Sequence, residues 1–312
     1  MPDHQTDIAL LTDHRFAVKE APEGNWYTAN ILYEDQLLSE ALKKHGLTTK
    51  RVNWADPDIN WSDFRCAVFR TTWDYFERFD EFKPWLEMAE KTLKVINSPE
   101  LIRWNLDKHY LADLQSRGIP VVESRFIEIG SDADLSALLT ETGWAEAVIK
   151  PCISGAAWHT YRVNNNKADA IEEIIQPLLK KHSFILQPFL KEIVETGEDT
   201  LMVFGGKVTH AVRKVAKPGD FRVQDDHGGT VHKHTALPDQ IRLAESAMAA
   251  CNPQPLYGRV DMVRDNNGQW VVMELEIIEP ELWMRFNPPS ADTFAEALAK
   301  KLESKIPANT GS

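Results

Sequence analysis

The run VVMELEIIEPELWM, residues 271–284, constrains this chain more than any other stretch. Read as a strand, it puts Met273, Leu275 and Ile277 on one face and Val272, Glu274, Glu276 and Ile278 on the other. The run is too apolar for a solvated surface, yet two carboxylates stack on one face of it. There they repel each other and resist desolvation. Upstream, PLYGRVDMVRDNNGQW carries Asp261 and the turn signal Asn266-Asn267-Gly268. A hairpin around that turn lays Asp261 beside the two glutamates. Two readings stand: an outer, solvated strand face, or a divalent metal held by hard oxygen ligands. Mg²⁺ keeps waters and takes further ligands from phosphates, so the second reading points to a nucleotide.

Composition narrows the function. Across 312 residues, Asp and Glu number 47 and Lys and Arg 35, a net charge of −12. An acidic chain without a basic block argues against a nucleic-acid or membrane-surface partner. Cys66, Cys152 and Cys251 lie far apart with no CxxC pair, as reduced thiols of a cytoplasmic protein do. No run is long and apolar enough to span a bilayer, and the charged N-terminus lacks a signal core. A soluble cytoplasmic protein is expected, of two or three domains.

Strand-like and helix-like runs alternate through residues 1–97, which predicts a small parallel, Rossmann-like α/β domain. SPELIRWNLDKHYLADLQSRG reads as one capped helical stretch, with Ser98 as N-cap, Pro99 in the first turn and Gly118 as stop. Residues 98–188 form a second unit of short strands and helices, and 189–312 a mostly β third unit with hairpins at Gly205-Gly206 and Asn266–Gly268. Residues 216–235 read as a polar loop, and the tail PANTGS as disordered.

Lys150 ends the strand EAVIK and precedes the small-residue loop PCISGAAW. A cation there, with backbone N–H groups from Ser154, Gly155 and Ala156, can hold a phosphate. The order of a Walker A loop is absent. Lys108 and Lys150 each read equally well as solvated lysines when taken alone. HGGTVHKH gathers His227, His232 and His234, a pattern that can bind zinc, against a flexible loop over the site. Cys152 reads as a small buried thiol, not a nucleophile, because no paired His is evident.

In sequence order these segments resemble the ATP-grasp ligases. YGRVDMVRDNNGQWVVMELE is similar to their C-terminal metal hairpin, matched here by Arg259, Asp261, Glu274 and Glu276. The family usually has Asn at the last position, so Glu276 adds a charge. NLDKHYLADLQSRG resembles the segment of the first phosphate lysine, Lys108, and VIKPCISGAAW that of the second, Lys150, with the mobile phosphate loop. FILQPFL resembles the adenine-holding segment: Gln187 and the backbone of Phe189 and Leu190. GEDTLMVFGGKVTHAVRKV resembles ribosomal-protein glutamate ligases and bacterial glutathione synthetases; it puts Glu198 or Asp199 near ribose and Arg213 near the reacting phosphate. RTTWDYFERFDEF with NSPELIRWNLDKHYL resembles the subgroup containing the cyclo-ligase that makes D-cycloserine from O-ureido-D-serine. In such ligases the first domain helps bind substrate. Arg70 would clamp a carboxylate and Asp74 an amine beside Trp73 and Tyr75, against a structural Arg–Asp pair with Trp73 in the core.

The resemblance implies an ATP-grasp fold behind an N-terminal α/β domain, with ATP and Mg²⁺ as cofactors and Mn²⁺ as the alternative ion. It implies an ADP-forming carboxylate–amine ligase antibiotic-type activity on a small amino-acid derivative, through an acyl phosphate, and intramolecular in the cyclo-ligase case. Arg259 would stabilise the oxyanion. A homodimer is expected by analogy. The alternatives are a ligase that adds amino acids to a protein or peptide, and a nucleotide-binding regulator without ligase activity.

Overall fold

Apolar strands between amphipathic helices build the first layer. In the computed structural model, which describes residues 5–155, 157–223 and 228–303, the elements are β1 (Thr6–Thr12), α1 (Trp26–Lys43), β2 (Thr49–Asn53), β3 (Phe64–Thr71), α2 (Phe79–Thr92) and β4 (Lys94–Ile96). They form a parallel sheet in the order β2-β1-β3-β4. The side chain of Asn25 caps α1 by accepting from the Thr28 N–H. Strand β2 carries no strong sequence signal, because TKRVN is a mostly polar edge strand held by its register on β1.

The helical stretch after Ser98 is broken, not continuous: α3 (Pro99–Asn105) and α4 (Tyr110–Ser116) flank a turn. Ser98 caps α3 as expected. The Asp107 carboxylate then accepts from the His109 N–H at 3.0 Å, and the Lys108 N–H donates to Cys152 O at 3.0 Å. Both bonds compete with the helical ladder, and the break turns the Lys108 side chain inward.

A second sheet follows. Strands β5 (Arg125–Ile127), β6 (Ala147–Pro151), β7 (Tyr161–Val163) and β8 (Phe184–Pro188) pair antiparallel in the order β5-β8-β6-β7. Helices α5 (Leu135–Thr142) and α6 (Ala168–Ile175) cover it and share a core of their own, including Leu135, Ile149, Ile171 and Phe184.

The third sheet carries the hairpins. After α7 (Glu192–Glu195) come β9 (Glu198–Phe204), β10 (Lys207–Val215), β11 (Thr230–His234), α8 (Pro238–Ala249), β12 (Tyr257–Arg264), β13 (Trp270–Glu276) and α9 (Ser290–Glu303), with sheet order β11-β10-β9-β12-β13. Gly205 and Gly206 turn at φ +58° and +82°, the left-handed conformations a two-residue hairpin demands. The expected polar loop contains the edge strand β11, since β10 supplies its pairing partner at a distance. Residues 224–227 and the tail PANTGS lie outside the described residues. Among the described residues, no helix is long and apolar enough to cross a membrane.

One face of this sheet packs on α8 with Leu101, Tyr110 and Leu111. The other packs on α9 and the N-terminal unit, where Ile8, Leu42, Met202, Phe204, Tyr257 and Phe294 share one core. Asn97, buried at φ +54°, sits at that junction. Its Nδ2 donates to Tyr257 O (2.9 Å) and Ile277 O (2.7 Å), and its Oδ1 accepts from the Leu256 N–H (2.8 Å).

Candidate active site

The β12–β13 register pairs Asp261 with Glu274 and Arg259 with Glu276. The carboxylates expected on one patch therefore do meet there, and three cations, from β10, β12 and the turn between α3 and α4, answer them. Asp261 accepts from Arg259 Nε (2.9 Å) and Nη2 (2.8 Å) and from Lys214 Nζ (2.9 Å). Lys214 also pairs with Glu198, and Arg259 with Glu276. Lys108 Nζ lies 3.0 Å from Glu274 Oε1 and donates to Ser154 O at 3.1 Å. The break between α3 and α4 is what brings it there.

Electrostatics divides these groups. Burial opposes ionisation of Asp261, but Arg259 and Lys214 overcome it and hold its carboxyl below the ordinary range. Burial likewise opposes Glu274, and Lys108 and Lys150 outweigh it, bringing the carboxyl down to about 2. Burial wins at Glu276 and Glu198: although Arg259 and Lys214 respectively pull against it, both are pushed up to about 7. Burial also lowers Lys150, which among the described residues has no carboxylate at ion-pair distance. The patch thus has one cation, Lys150, in want of an anion, and two glutamates whose single cations do not offset their burial.

All of these groups but Asp261, which is buried behind Arg259 and Lys214, line one cavity of about 460 Å³. Of the residues singled out from sequence, Lys108, Lys150, Ser154, Gly155, Gln187, Leu190, Glu198, Arg259, Glu274 and Glu276 face it, and so do Trp73 and Tyr75. Gly155 packs so closely on Phe76 that a Cβ would stand 2.8 Å from the ring, which ties the loop to the N-terminal unit. Gln187 Nε2 donates to Ser124 Oγ (3.1 Å). Phe189 is buried against Phe221, with Arg162 over its ring. Ala156 lies outside the described residues.

Four of the candidate residues stand away from the cavity lining. Arg213 does not approach the cavity: it bonds Asp199 through Nε (2.6 Å) and Nη2 (2.9 Å) on the opposite face of β9 and β10. Asp199 is thereby structural too, and also accepts from Gln240 at 2.7 Å. The neighbours Lys214 and Glu198 take the inward places. Lys214 shares its strand face with the fully buried Val212, which is the signal that could have revealed it. Arg70 is buried on Asp35 (2.8 Å), with Glu34 at 3.8 Å, as in the structural-pair reading. Asp74 accepts from Trp54 Nε1 (2.7 Å) and Arg78 (3.0 Å).

Among the described residues, the histidines do not assemble a zinc site. His234 Nε2 lies 3.2 Å from Gln240 Oε1 and 3.4 Å from Asp199 Oδ2, His232 lies beside Thr230, and His227 is outside the described residues. A closer group, Asp107, His109 and Cys152, is accounted for without a metal. His109 is held between Asp107 (2.5 Å) and Glu128 (3.1 Å), and burial pushes the Cys152 thiol up to about 12.

A divalent ion fits the hairpin in kind. Its donors are hard oxygens, and Glu274 and Glu276 keep 30% and 31% of their side chains exposed. The raised Glu276 carboxyl is relieved by added positive charge. Asp261, Glu274 and Glu276 do not yet bring one oxygen each within 4.8 Å of one another, each being turned to its own cation.

Comparison with known proteins agrees with this architecture. Residues 8–97 match the N-terminal domain of D-cycloserine synthetase DcsG, and residues 125–257 the ATP-grasp domain of prokaryotic glutathione synthetase. The cycloserine biosynthesis protein DcsG of Streptomyces lavendulae is 34% identical over 293 residues, spanning 88% of this chain and 95% of that protein. A probable alpha-L-glutamate ligase of Legionella pneumophila (strain Corby) is 30% identical over 188 residues, 59% of this chain and 60% of its own length. The crystal structure of D-cycloserine synthetase DcsG superposes with a TM-score of 0.81 at 31% identity, covering 95% of this chain and 99% of that one. D-alanine–D-alanine ligase from Bacillus anthracis shares the fold at a TM-score of 0.62 and 15% identity, over 94% of this chain and 95% of its own. The chain therefore belongs to the DcsG family of ATP-grasp enzymes, and it is an ATP-dependent carboxylate–amine ligase.

Proposed function

We propose that this ligase activates the carboxylate of a small amino-acid-like molecule and closes it onto a nitrogen of the same molecule. The observation that carries this is the single cavity in which Lys108, Lys150, Lys214 and Arg259 face Glu198, Glu274 and Glu276. Four cations suit a polyphosphate and the acyl phosphate made from it. Carboxylates among them suit a divalent ion.

In this reading a substrate carboxylate oxygen attacks the γ-phosphorus of ATP, the bond to the β-phosphate oxygen breaks, and ADP leaves. Lys108, Lys150 and Lys214 hold the phosphates. The nitrogen then attacks the acyl carbon and Arg259 stabilises the oxyanion; as the C–N bond forms, the acyl C–O bond breaks and the departing phosphate carries off the proton the nitrogen gives up. Glu274 and Glu276, with Asp261, would hold Mg²⁺ or Mn²⁺, which neutralises phosphate charge when bound. Gln187 and the backbone at Phe189 and Leu190 would take adenine, and Glu198 the neighbourhood of ribose. The loop of residues 152–158 would exclude water from the acyl phosphate. Residues 1–97 serve as the substrate side, 98–188 as the lid and 189–312 as the metal-bearing unit.

Thermal unfolding with Mg²⁺, ATP or both tests the site. A ligand at about one hundred times its Kd adds roughly 2.7 kcal/mol to the folded state, a shift of several degrees. A shift that needs both, followed by ADP release with O-ureido-D-serine, is expected. No shift at millimolar nucleotide would overturn the site, and ADP release only with other acids would overturn the substrate.

A further inference from the structure

We infer that Glu279, walled by Trp73, Tyr27 and Phe16, binds the ammonium group of the substrate. This rests on the ligase reading above and names a feature of its substrate that the phosphate-binding half of the cavity does not.

The carboxylates of the cavity can be taken one by one. Glu198 has Lys214, Glu274 has Lys108, Glu276 has Arg259, and Glu281 has Arg285 at 2.7 Å. Glu77 is exposed and needs only water. Glu279 faces the same cavity, and among the described residues no Lys, Arg or His stands at ion-pair distance from it. Its carboxyl is bonded by the Tyr75 hydroxyl and by its own backbone N–H. Trp73 Nε1 donates to Glu279 O at 2.9 Å, which fixes the residue in place.

A carboxylate partly withdrawn from water without a cation beside it carries a cost. Burial, followed by the charge of Glu276, pushes this one up to about 8. The missing cation has a shaped place. Trp73 meets Phe16 edge-on at 5.4 Å and Tyr27 at 6.0 Å, and all three line the cavity that Glu279 faces. Aromatic faces attract an ammonium but offer a metal ion no lone pair. An α-amino acid would then lie with its ammonium on Glu279 and its carboxylate toward Arg259 and the lysines.

The test compares O-ureido-D-serine with its des-amino counterpart, 3-(ureidooxy)propionate. Binding to wild type and Glu279→Gln is read by calorimetry with Mg²⁺ and a non-hydrolysable ATP analogue. Glu279→Gln should weaken the ammonium compound by on the order of 10- to 100-fold and leave the des-amino compound within about 3-fold. Stabilisation by the nucleotide alone should persist, which shows that fold and phosphate site are intact. Equal losses for both compounds, or no loss for either, would overturn the inference. So would failure of wild type to bind any member of an α-amino-acid panel; nucleotide-dependent stabilisation and ADP release then say separately whether the ligase reading survives. If Glu279→Gln does not fold, Trp73→Leu supplies the same comparison, with an expected loss of roughly 3- to 10-fold confined to the ammonium compound.

Discussion

Replacing Glu274 by Gln should change nucleotide binding in two opposite directions. Its carboxylate sits 3.0 Å from Lys108 Nζ, and Lys108 and Lys150 together hold it near 2 where 4.5 is ordinary. That depression corresponds to on the order of 3 kcal/mol favouring the ionised form, and solvent reaching the side chain screens part of it. Phosphates must draw the same two lysines away from it. With Gln the lysines are released from the carboxylate, and a metal-free nucleotide no longer meets its negative charge. ADP in EDTA should therefore bind roughly 10-fold tighter to the variant, about 1.4 kcal/mol of the attraction. The enhancement by Mg²⁺ should shrink, because a metal oxygen is lost, and turnover should fall by about 10³-fold or more while the fold is retained. Calorimetric titration of ADP with EDTA and with Mg²⁺, beside an ADP-release assay, reads all three. Weaker metal-free binding by the variant would refute the competition argument. Near-normal turnover would refute the assignment of Glu274 to the metal.

Arg70→Met should lower stability by at least about 2 kcal/mol in urea unfolding, because Asp35 and Glu34 lose a buried partner. KM for a carboxylate substrate should not change; a raised KM would restore Arg70 to the substrate site. His210 is pushed from 6.5 down to about 4 by burial, and its Nε2 lies 2.9 Å from Leu282 O. The folded value lies below the unfolded one, so protons enter the unfolded chain first and the stability contributed by the neutral ring is lost as pH falls from 6.5 toward 4. Glu198 and Glu276, raised in the fold, act in the opposite sense. The measurement is therefore the gap between wild type and His210→Gln, which should move by about 2 kcal/mol between pH 7 and pH 5 in favour of the variant; a constant gap would contradict the shift. Gly197→Ala should cost roughly 2–4 kcal/mol in thermal unfolding and reduce kcat. Gly197 holds φ +108°, and a Cβ there would stand 2.4 Å from Lys214 O, beside the Glu198–Lys214 pair.

The hairpin carboxylates are legible in sequence because their register is local: one turn at Asn266–Gly268 brings Asp261 opposite Glu274. The parallel first sheet and the ATP-grasp order of segments are legible for a similar reason, as each motif carries its own strand. Strand and loop parity is harder to read. Of Glu198 and Asp199, of Arg213 and Lys214, and of Trp73, Asp74 and Tyr75, the inward member depends on where pairing begins, and a shift of one residue reverses it. The break that delivers Lys108 arises from Asp107 and from Cys152, which only the tertiary fold brings near. Glu279 escapes periodicity altogether. It lies beyond β13, and Trp73, 206 residues earlier, holds its backbone.

Asn97 has a mechanical consequence. One buried amide grips Leu256, Tyr257 and Ile277, backbone at the roots of both hairpin strands, at the point where the first sheet hands over to the rest of the chain. A sequence boundary of this kind is usually a hinge; here it is a weld. The first sheet and the carboxylate hairpin are thereby held in one register by a single side chain. The β5–β8 sheet has a core of its own on one side and adds Ile185 and Phe126 to the core of the third sheet on the other, so it meets the carboxylates without taking part in the Asn97 junction.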